Sequence, residues 1–393
     1  MHYISIIILF LSVVYALFIL WCYAGWKKIN MQPFSLINYI TKVSVIVPAR
    51  NEEKTIKDCL LNILNQNYPG NLIEVIVIDD YSTDATAEIV SAIIKEFPGR
   101  KITLLNNTLT PGENATHLEY KKQAITKAIH NASGELIIST DADCLVNDKW
   151  VSSIVECYEN ENPDMIAGPV CFHHEENVFE QLQTLEFMGL IGIGAGSVSN
   201  HHPIMCNGAN LAYTKKIFLE VNGFSETNPV ASGDDTQLML KIAKRNPDRI
   251  RFLKSRDAIV YTKPMHSAKD LFNQRKRWAS KIPFKMSWFT FLIAGIAYLL
   301  HAGLLIAIFS CLMNGSQSSH VEILILSMLI KFIPEYIFLY SLGSFFEKKK
   351  YLWLLLPAQL YYMIYISVIG VVSFFGSYQW KDRNIKSTIK LQV

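Results

Sequence analysis

The sequence predicts an α/β domain with a mostly parallel sheet, flanked on its N- and C-terminal sides by apolar helices long enough to cross a bilayer. Three observations predict it. From about residue 42 to 265, short apolar runs rich in β-branched residues alternate with helical patterns, the signature of parallel strands joined by crossover helices. The stretches on either side of that region are nearly uncharged and mostly Ile, Leu, Val, Phe and Tyr. The 393 residues are 50% hydrophobic and only 18% charged, which is apolar for a soluble enzyme.

Residues 3–26 contain no charged side chain and exceed the ~20 apolar residues that a spanning helix needs. The run lacks a basic start, and Lys27-Lys28 follow it directly. Residues 1–28 therefore read as a retained anchor rather than a cleaved signal peptide, with the following chain cytoplasmic. In the central region, residues 43–47, 74–78, 102–105 and 136–138 read as strands. Residues 53–64, 84–97 (capped by Asp84), 121–131 and 236–243 read as helices. Residues 40–265 form the expected catalytic domain. Residues 266–286 are a basic amphipathic stretch, in which Lys269, Arg275, Lys276, Arg277, Lys281 and Lys285 surround Leu271, Phe272, Trp278, Ile282 and Phe284. Such a helix suits a headgroup layer.

Residues 287–313, 321–342 and 351–375 are each long enough to span, within a C-terminal membrane region of 287–378. Three simple spans would leave the basic tail, 379–393, outside, against the charge rule. One stretch, 351–375 with Pro357 in it, is therefore expected to be re-entrant, bent or a pair of half-spans. The seven cysteines form no CxxC pair, which suits buried thiols in a reducing compartment. A formal net charge of +3 excludes a nucleic-acid binder that works through a broad basic face.

The chemistry-bearing residues lie where strands end, and in such sheets ligands bind beyond the carboxyl ends. Asp79-Asp80 follow the second strand and can accept hydrogen bonds from a base or ribose; a plain turn with a helix cap is the bland alternative. Asp141-Ala142-Asp143 follow the fourth. In extended chain both carboxylates point one way, and two nearby carboxylates call for a divalent cation that can also bridge phosphates. Gly233-Asp234-Asp235 precede a helix, as a cap or as a general base. In Gln274-Arg275-Lys276-Arg277-Trp278, guanidinium can bind pyrophosphate and indole can stack on a sugar.

In this order, the motifs resemble the family-2 inverting glycosyltransferases of the GT-A fold, in the membrane-bound branch related to polysaccharide synthases. The matching segments are VSVIVPARNEEKTI from Val43, EVIVIDDYSTDAT from Glu74, KKQAITKAI from Lys121, STDADC from Ser139, NGANLAYTKKIFLEVNGF from Asn207, SGDDTQLML from Ser232 and QRKRW from Gln274. They cover roughly residues 40 to 285. The resemblance implies that Pro48, Ala49 and Glu52 line the nucleotide pocket. Asp79 and Asp80 would contact base and ribose, and Lys121 the diphosphate. Asp141 and Asp143 would hold Mg2+ or Mn2+, with Asp141 also on the donor phosphates. Gly208-Ala209-Asn210 would form the acceptor-side turn. Asp235 would be the catalytic base beside Asp234, and Gln274, Arg277 and Trp278 would close over diphosphate and acceptor.

The implied reaction is inverting transfer of a hexose from a nucleotide-sugar, UDP-linked by default, to a lipid or glycan hydroxyl at the plasma membrane. Tyr120 stands where the family often has glycine, and the C-terminal membrane region is short beside the pore-forming polymerases. Single transfer is therefore favoured over a processive polysaccharide synthase. A nucleotidyltransferase would need the same acids but no bilayer, and a non-catalytic scaffold would not need Asp141, Asp143, Asp235 and Trp278 together.

Overall fold

The structure, a computed structural model, describes residues 2–31, 38–106, 117–225, 233–279, 287–314, 318–372, 377–380 and 383–386. In chain order the elements are α1 (His2–Lys28), β1 (Val43–Ala49), α2 (Ile56–Leu64), β2 (Ile73–Asp79), α3 (Thr86–Glu96), β3 (Lys101–Asn106), α4 (His117–Asn131), β4 (Leu136–Ser139), β5 (Leu145–Val146), α5 (Trp150–Glu161), β6 (Met165–Ala167), β7 (Val170–Phe172), α6 (Val178–Ser199), β8 (Leu211–Thr214), α7 (Lys215–Glu220), α8 (Asp234–Arg245), β9 (Ile250–Phe252), β10 (Val260–Thr262), α9 (Ala268–Ala279), α10 (Trp288–Asn314), α11 (Ser318–Phe345), α12 (Leu355–Val372), β11 (Ser377–Trp380) and β12 (Arg383–Lys386). The chain divides into an α/β unit, Lys27–His174 with Ser197–Pro264, and a helical unit, Met1–Trp26 with Glu175–Gly196 and Met265–Val393.

The α/β unit is built on a seven-stranded sheet of order β3-β2-β1-β4-β8-β6-β9. Within it β8 alone runs antiparallel to its neighbours, so the sheet is mostly parallel as the alternation predicts. β2 is buried along its whole length, as expected of a strand covered on both faces; β3, at the edge, exposes Lys101 and Thr103. A smaller sheet has the order β5-β10-β7. Chain order reverses direction across the β1–β4 pair, and that switch point puts the carboxyl ends of β1, β2 and β4 around one crevice.

Glu74 holds the opposite end of that layer together. Buried in β2, it accepts hydrogen bonds from the Ser44 hydroxyl and the Ser133 amide, and it pairs with Lys101 of β3. Burial alone would raise its pKa, but the hydrogen bonds from Lys101, Ser44 and Ser133 outweigh burial and hold it at about 2.

Among the described residues, the helical unit contains four helices long and apolar enough to cross a membrane: Tyr3–Lys28, Trp288–Met313, His320–Phe345 and Lys349–Val372. They expose Phe10, Leu17, Phe291, Ile306, Phe309 and Ile333, side chains that a water-facing surface would not gather in such numbers. The stretch expected to bend or re-enter begins with a 3-10 turn, Lys349–Leu354, and continues as α12 to Val372; residues 373–375 lie outside the described chain. Pro357 falls in the first turn of α12, where the amide it lacks would have no helical partner.

Most of α6 belongs to this unit, although the sequence grouped it with the surrounding catalytic segment. Its close approach to α1 explains the difference: a Cβ on Gly196 would overlap the backbone of Cys22. Among the buried groups of the four long helices, Lys331 donates to both Glu335 oxygens (2.8 and 2.9 Å) and to Gln359 Oε1 (2.6 Å). Tyr15 donates to Glu335 at 2.7 Å and packs edge-on against His301. α1, α10, α11 and α12 thus share one polar cluster.

Because the Glu74 carboxyl is held down in the folded state, its stabilisation is complete above its unfolded pKa and is lost as pH falls from there through about 2. Glu74→Gln should therefore lower the thermal midpoint at pH 7, by about 1–3 kcal/mol in stability. The variant should also flatten the decline of stability below pH 4.5; thermal unfolding at a series of pH values measures both.

Candidate active site

One side of the crevice is made by two loops that hydrogen-bond to each other. Asn51 N–H donates to the Ser82 hydroxyl, Thr83 N–H to Asn51 Oδ1, Glu52 N–H to the Thr86 hydroxyl and Glu53 N–H to Asp84 Oδ2. Asp84 also accepts from the Thr86 amide, tying the loops together, while Ala85 and not the expected Asp84 occupies the cap position of α3. Asn51 and Tyr81 take left-handed backbone conformations to make this fit (φ 51° and 58°). Ala49 O accepts from Asp80 N–H at 2.8 Å, and the Arg50 guanidinium donates to the carbonyls of Asp80 and Tyr81. Pro48, Ala49, Glu52, Asp79 and Asp80 therefore converge. Asp79 is 8% exposed; its Oδ2 accepts from Ser82 N–H, while Oδ1 has no partner among the described residues. A buried carboxylate oxygen in that condition needs a donor from beyond the described residues.

Asp141 and Asp143 also come together, though not as two teeth of an extended strand. β4 ends at Ser139, and the pair sits on a turn closed by Cys144 N–H donating to Asp141 O. Donor atoms of Asp141, Asp143 and Cys144 all lie within 4.8 Å of one another. Burial, and then the charges of Asp143 and Asp141, push the Cys144 thiol well above its ordinary pKa. The two exposed carboxylates of the group are oxygen donors that fit a hard divalent cation. Cys59 donates to Asp141 O from beneath, and all seven described cysteines are free.

The Gly208–Asn210 turn brings the third acidic element in. The Ser139 hydroxyl donates to Gly208 O, joining the end of β4 to this turn. A Cβ on Gly208 would lie 2.5–2.7 Å from the carboxylate atoms of Asp235, so only glycine leaves room for that carboxylate. Asp235 stands in the first turn of α8, whose cap, Gly233, has φ 97°; Ser232 lies outside the described residues. Burial, and then the Asp235 charge, push the Tyr213 hydroxyl upward. Asp234 pairs with Lys122 at 2.9 Å.

Lys121 lies on α4, but its side chain is outside the described residues. Lys122, which sequence reasoning passed over, is buried. Ile125 and Ile129, three and seven positions on, share its helix face and could have selected it. Asn210 is 1% exposed: its amide donates to Pro169 O and Ala258 O and accepts from Trp150 Nε1. All these bonds go to protein, so Asn210 braces the turn rather than facing a ligand.

Gln274, Arg277 and Trp278 lie on α9 in the helical unit, each half-buried. Arg275 and Lys276, expected on a basic surface, are buried instead. Lys281 and Lys285 fall outside the described residues.

Comparison with known proteins agrees with this architecture. The family described as "Glycosyl transferase family 2" matches residues 44–221, and "Glycosyl transferase family group 2" matches residues 136–366. The chain belongs to the family-2 glycosyltransferases. It is 26% identical over 190 residues to the poly-beta-1,6-N-acetyl-D-glucosamine synthase of Staphylococcus epidermidis, covering 48% of this chain and 43% of that protein. It is 27% identical over 245 residues to the "probable glycosyltransferase YdaM" of Bacillus subtilis (strain 168), covering 61% and 55%. The chain thus spans about half the length of these relatives. Among solved structures, the mannosyltransferase PcManGT of Pyrobaculum calidifontis, in complex with GDP-Man and Mn2+, shares the fold: TM-score 0.57 at 20% identity, over 91% of this chain and 99% of that one.

Gly208→Ala should displace the Asp235 carboxylate and lower glycosyl-transfer turnover by about 100-fold with donor affinity retained. Steady-state kinetics alongside titration calorimetry with the donor checks it.

Proposed function

We propose that this chain is a membrane-integral inverting hexosyltransferase that moves a sugar from a nucleotide-sugar, UDP-linked by default, to a hydroxyl of a lipid or short glycan. The α/β unit works on the cytoplasmic side of the plasma membrane. The observation that carries this reading is the Asp235 carboxylate seated against Gly208, on a turn hydrogen-bonded to the strand that leads into Asp141 and Asp143. Base, acceptor turn and paired acids are therefore neighbours within one unit.

The roles divide by position. Pro48, Ala49 and Glu52 line the nucleotide pocket. Asp79 and Asp80 take the base and ribose, Asp79 through the Oδ1 that has no partner among the described residues. Lys121 meets the diphosphate. Asp141 and Asp143 would hold Mg2+ or Mn2+, which when bound neutralises charge on the nucleoside diphosphate as it leaves. Asp235 takes the proton of the acceptor hydroxyl, whose oxygen attacks the anomeric carbon opposite the leaving group, so configuration inverts in one displacement. Lys122 holds Asp234 beside the base. Gln274, Arg277 and Trp278 close over the diphosphate and the acceptor.

A lipid acceptor is supported by the 32% identity over 119 residues to the beta-monoglucosyldiacylglycerol synthase of a Nostoc species, a match that covers 30% of this chain and 24% of that protein. The second reading, processive synthesis, is favoured by the likeness to the staphylococcal synthase. Incubating the purified chain with labelled nucleotide-sugars and membrane lipid separates them: one labelled lipid supports single transfer, and a ladder of sizes supports polymerisation.

Asp235→Asn should abolish transfer while retaining donor binding; a variant with normal turnover would end the assignment of the base. A chelator should stop transfer and added Mn2+ or Mg2+ should restore it, whereas turnover unaffected by chelation would remove the metal from the scheme.

A further inference from the structure

Within the helical unit, α9 carries a buried cation that the scheme above leaves without a role. Arg275 is 4% exposed. Its Nη2 and Nε donate to Glu186 Oε2 of α6 at 2.8 and 3.3 Å, and its Nη1 donates to Gln274 Oε1 at 2.6 Å. The same guanidinium lies 4.2 Å from the centre of the Trp278 ring, which stacks on Phe187, the neighbour of Glu186. The other Glu186 oxygen accepts from Tyr365 of α12.

We propose that Arg275, clamped by Glu186, is a positioning residue that sets Gln274 and Trp278 in their working orientations. Both targets are residues to which the proposed function gives contact with diphosphate and acceptor, so the inference rests on that reading. Because the Gln274 oxygen is taken by the guanidinium, the amide orientation is fixed with its NH2 end free to donate, the polarity a diphosphate needs. The guanidinium plane over the indole fixes the ring that would stack on a sugar. Only a planar, forked cation makes both contacts while holding a carboxylate; an ammonium has no plane to lay on the ring.

Stability alone gives little reason for such a pair, since replacing a buried ion pair by well-packed apolar residues is often neutral or stabilising. Removing one partner, by contrast, strands a charge. The informative variants are therefore the conservative ones.

The test uses the full chain in lipid nanodiscs. Arg275→Lys keeps the charge and loses the fork. It should leave the thermal midpoint and the donor KM unchanged and lower kcat by about 10- to 100-fold. Combined with Gln274→Ala/Trp278→Ala, it should cause no further loss, because it acts through those two side chains. Wild-type kcat in Arg275→Lys overturns the proposal. So does a loss that multiplies with the double substitution, or one that follows a fall in thermal midpoint. If Arg275→Lys does not fold, Glu186→Gln, which leaves a neutral acceptor for the guanidinium, is read by the same criteria. A wild-type chain that transfers no sugar from any donor removes the parent reading together with this one, whereas an active wild type with an indifferent Arg275→Lys removes only the positioning role.

Discussion

Carboxylates gathered along one edge of a sheet repel one another, and that constraint governs the rest of the α/β unit. Asp79, Asp80, Asp141, Asp143, Asp234 and Asp235 all stand at or near strand ends or in the first turn of a helix. The protein neutralises them unequally. Asp234 has Lys122; Asp234 and Asp235 share the positive end of α8. Asp79 keeps a buried oxygen without a partner among the described residues, and the Asp141–Asp143 turn has two exposed carboxylates.

Close approach is the second constraint. The loops after β1 and β2 reach the crevice by hydrogen-bonding to each other, which forces Asn51 and Tyr81 into left-handed conformations. Gly208 gives its missing side chain to the Asp235 carboxylate, and Asn210, two residues on, anchors the same turn with three hydrogen bonds. Rigid placement at Asn210 and open space at Gly208 are complementary devices: the first keeps the turn from moving into the second.

Much of this was legible in the sequence. β1, β2 and β4 announced themselves as apolar runs because strands covered on both faces are mostly apolar, and β3, at the edge, through alternation of exposed and half-buried positions; Asp79 ends β2, and Asp141 and Asp143 follow β4. β5, β6, β7, β9 and β10 have two or three residues each, too few for any period, and only long-range pairing defines them. Asp141 and Asp143 were expected together for the wrong geometric reason, since a turn and not a pleat brings them close. The Arg275–Glu186 pair joins residues 89 positions apart; nothing local distinguishes such an arginine from a surface one. Lys122 shares a helix face of α4 with Ile125 and Ile129, and that spacing marks it as a cation on the packed side.

The polar cluster of the long helices bears on how the protein is made. Lys331 and Glu335 are one turn apart on α11, so the ammonium and the carboxylate neutralise each other before any other helix is present. Paired in this way, the two ions cost far less in an apolar medium than two separate ones would. Gln359 from α12, and Tyr15 from α1 far earlier in the chain, then complete the hydrogen bonds. In a bilayer, the Tyr15 hydroxyl of the first long helix would meet its acceptor only once the third is in place, and a bundle assembled in the wrong rotation would leave that hydroxyl facing hydrocarbon.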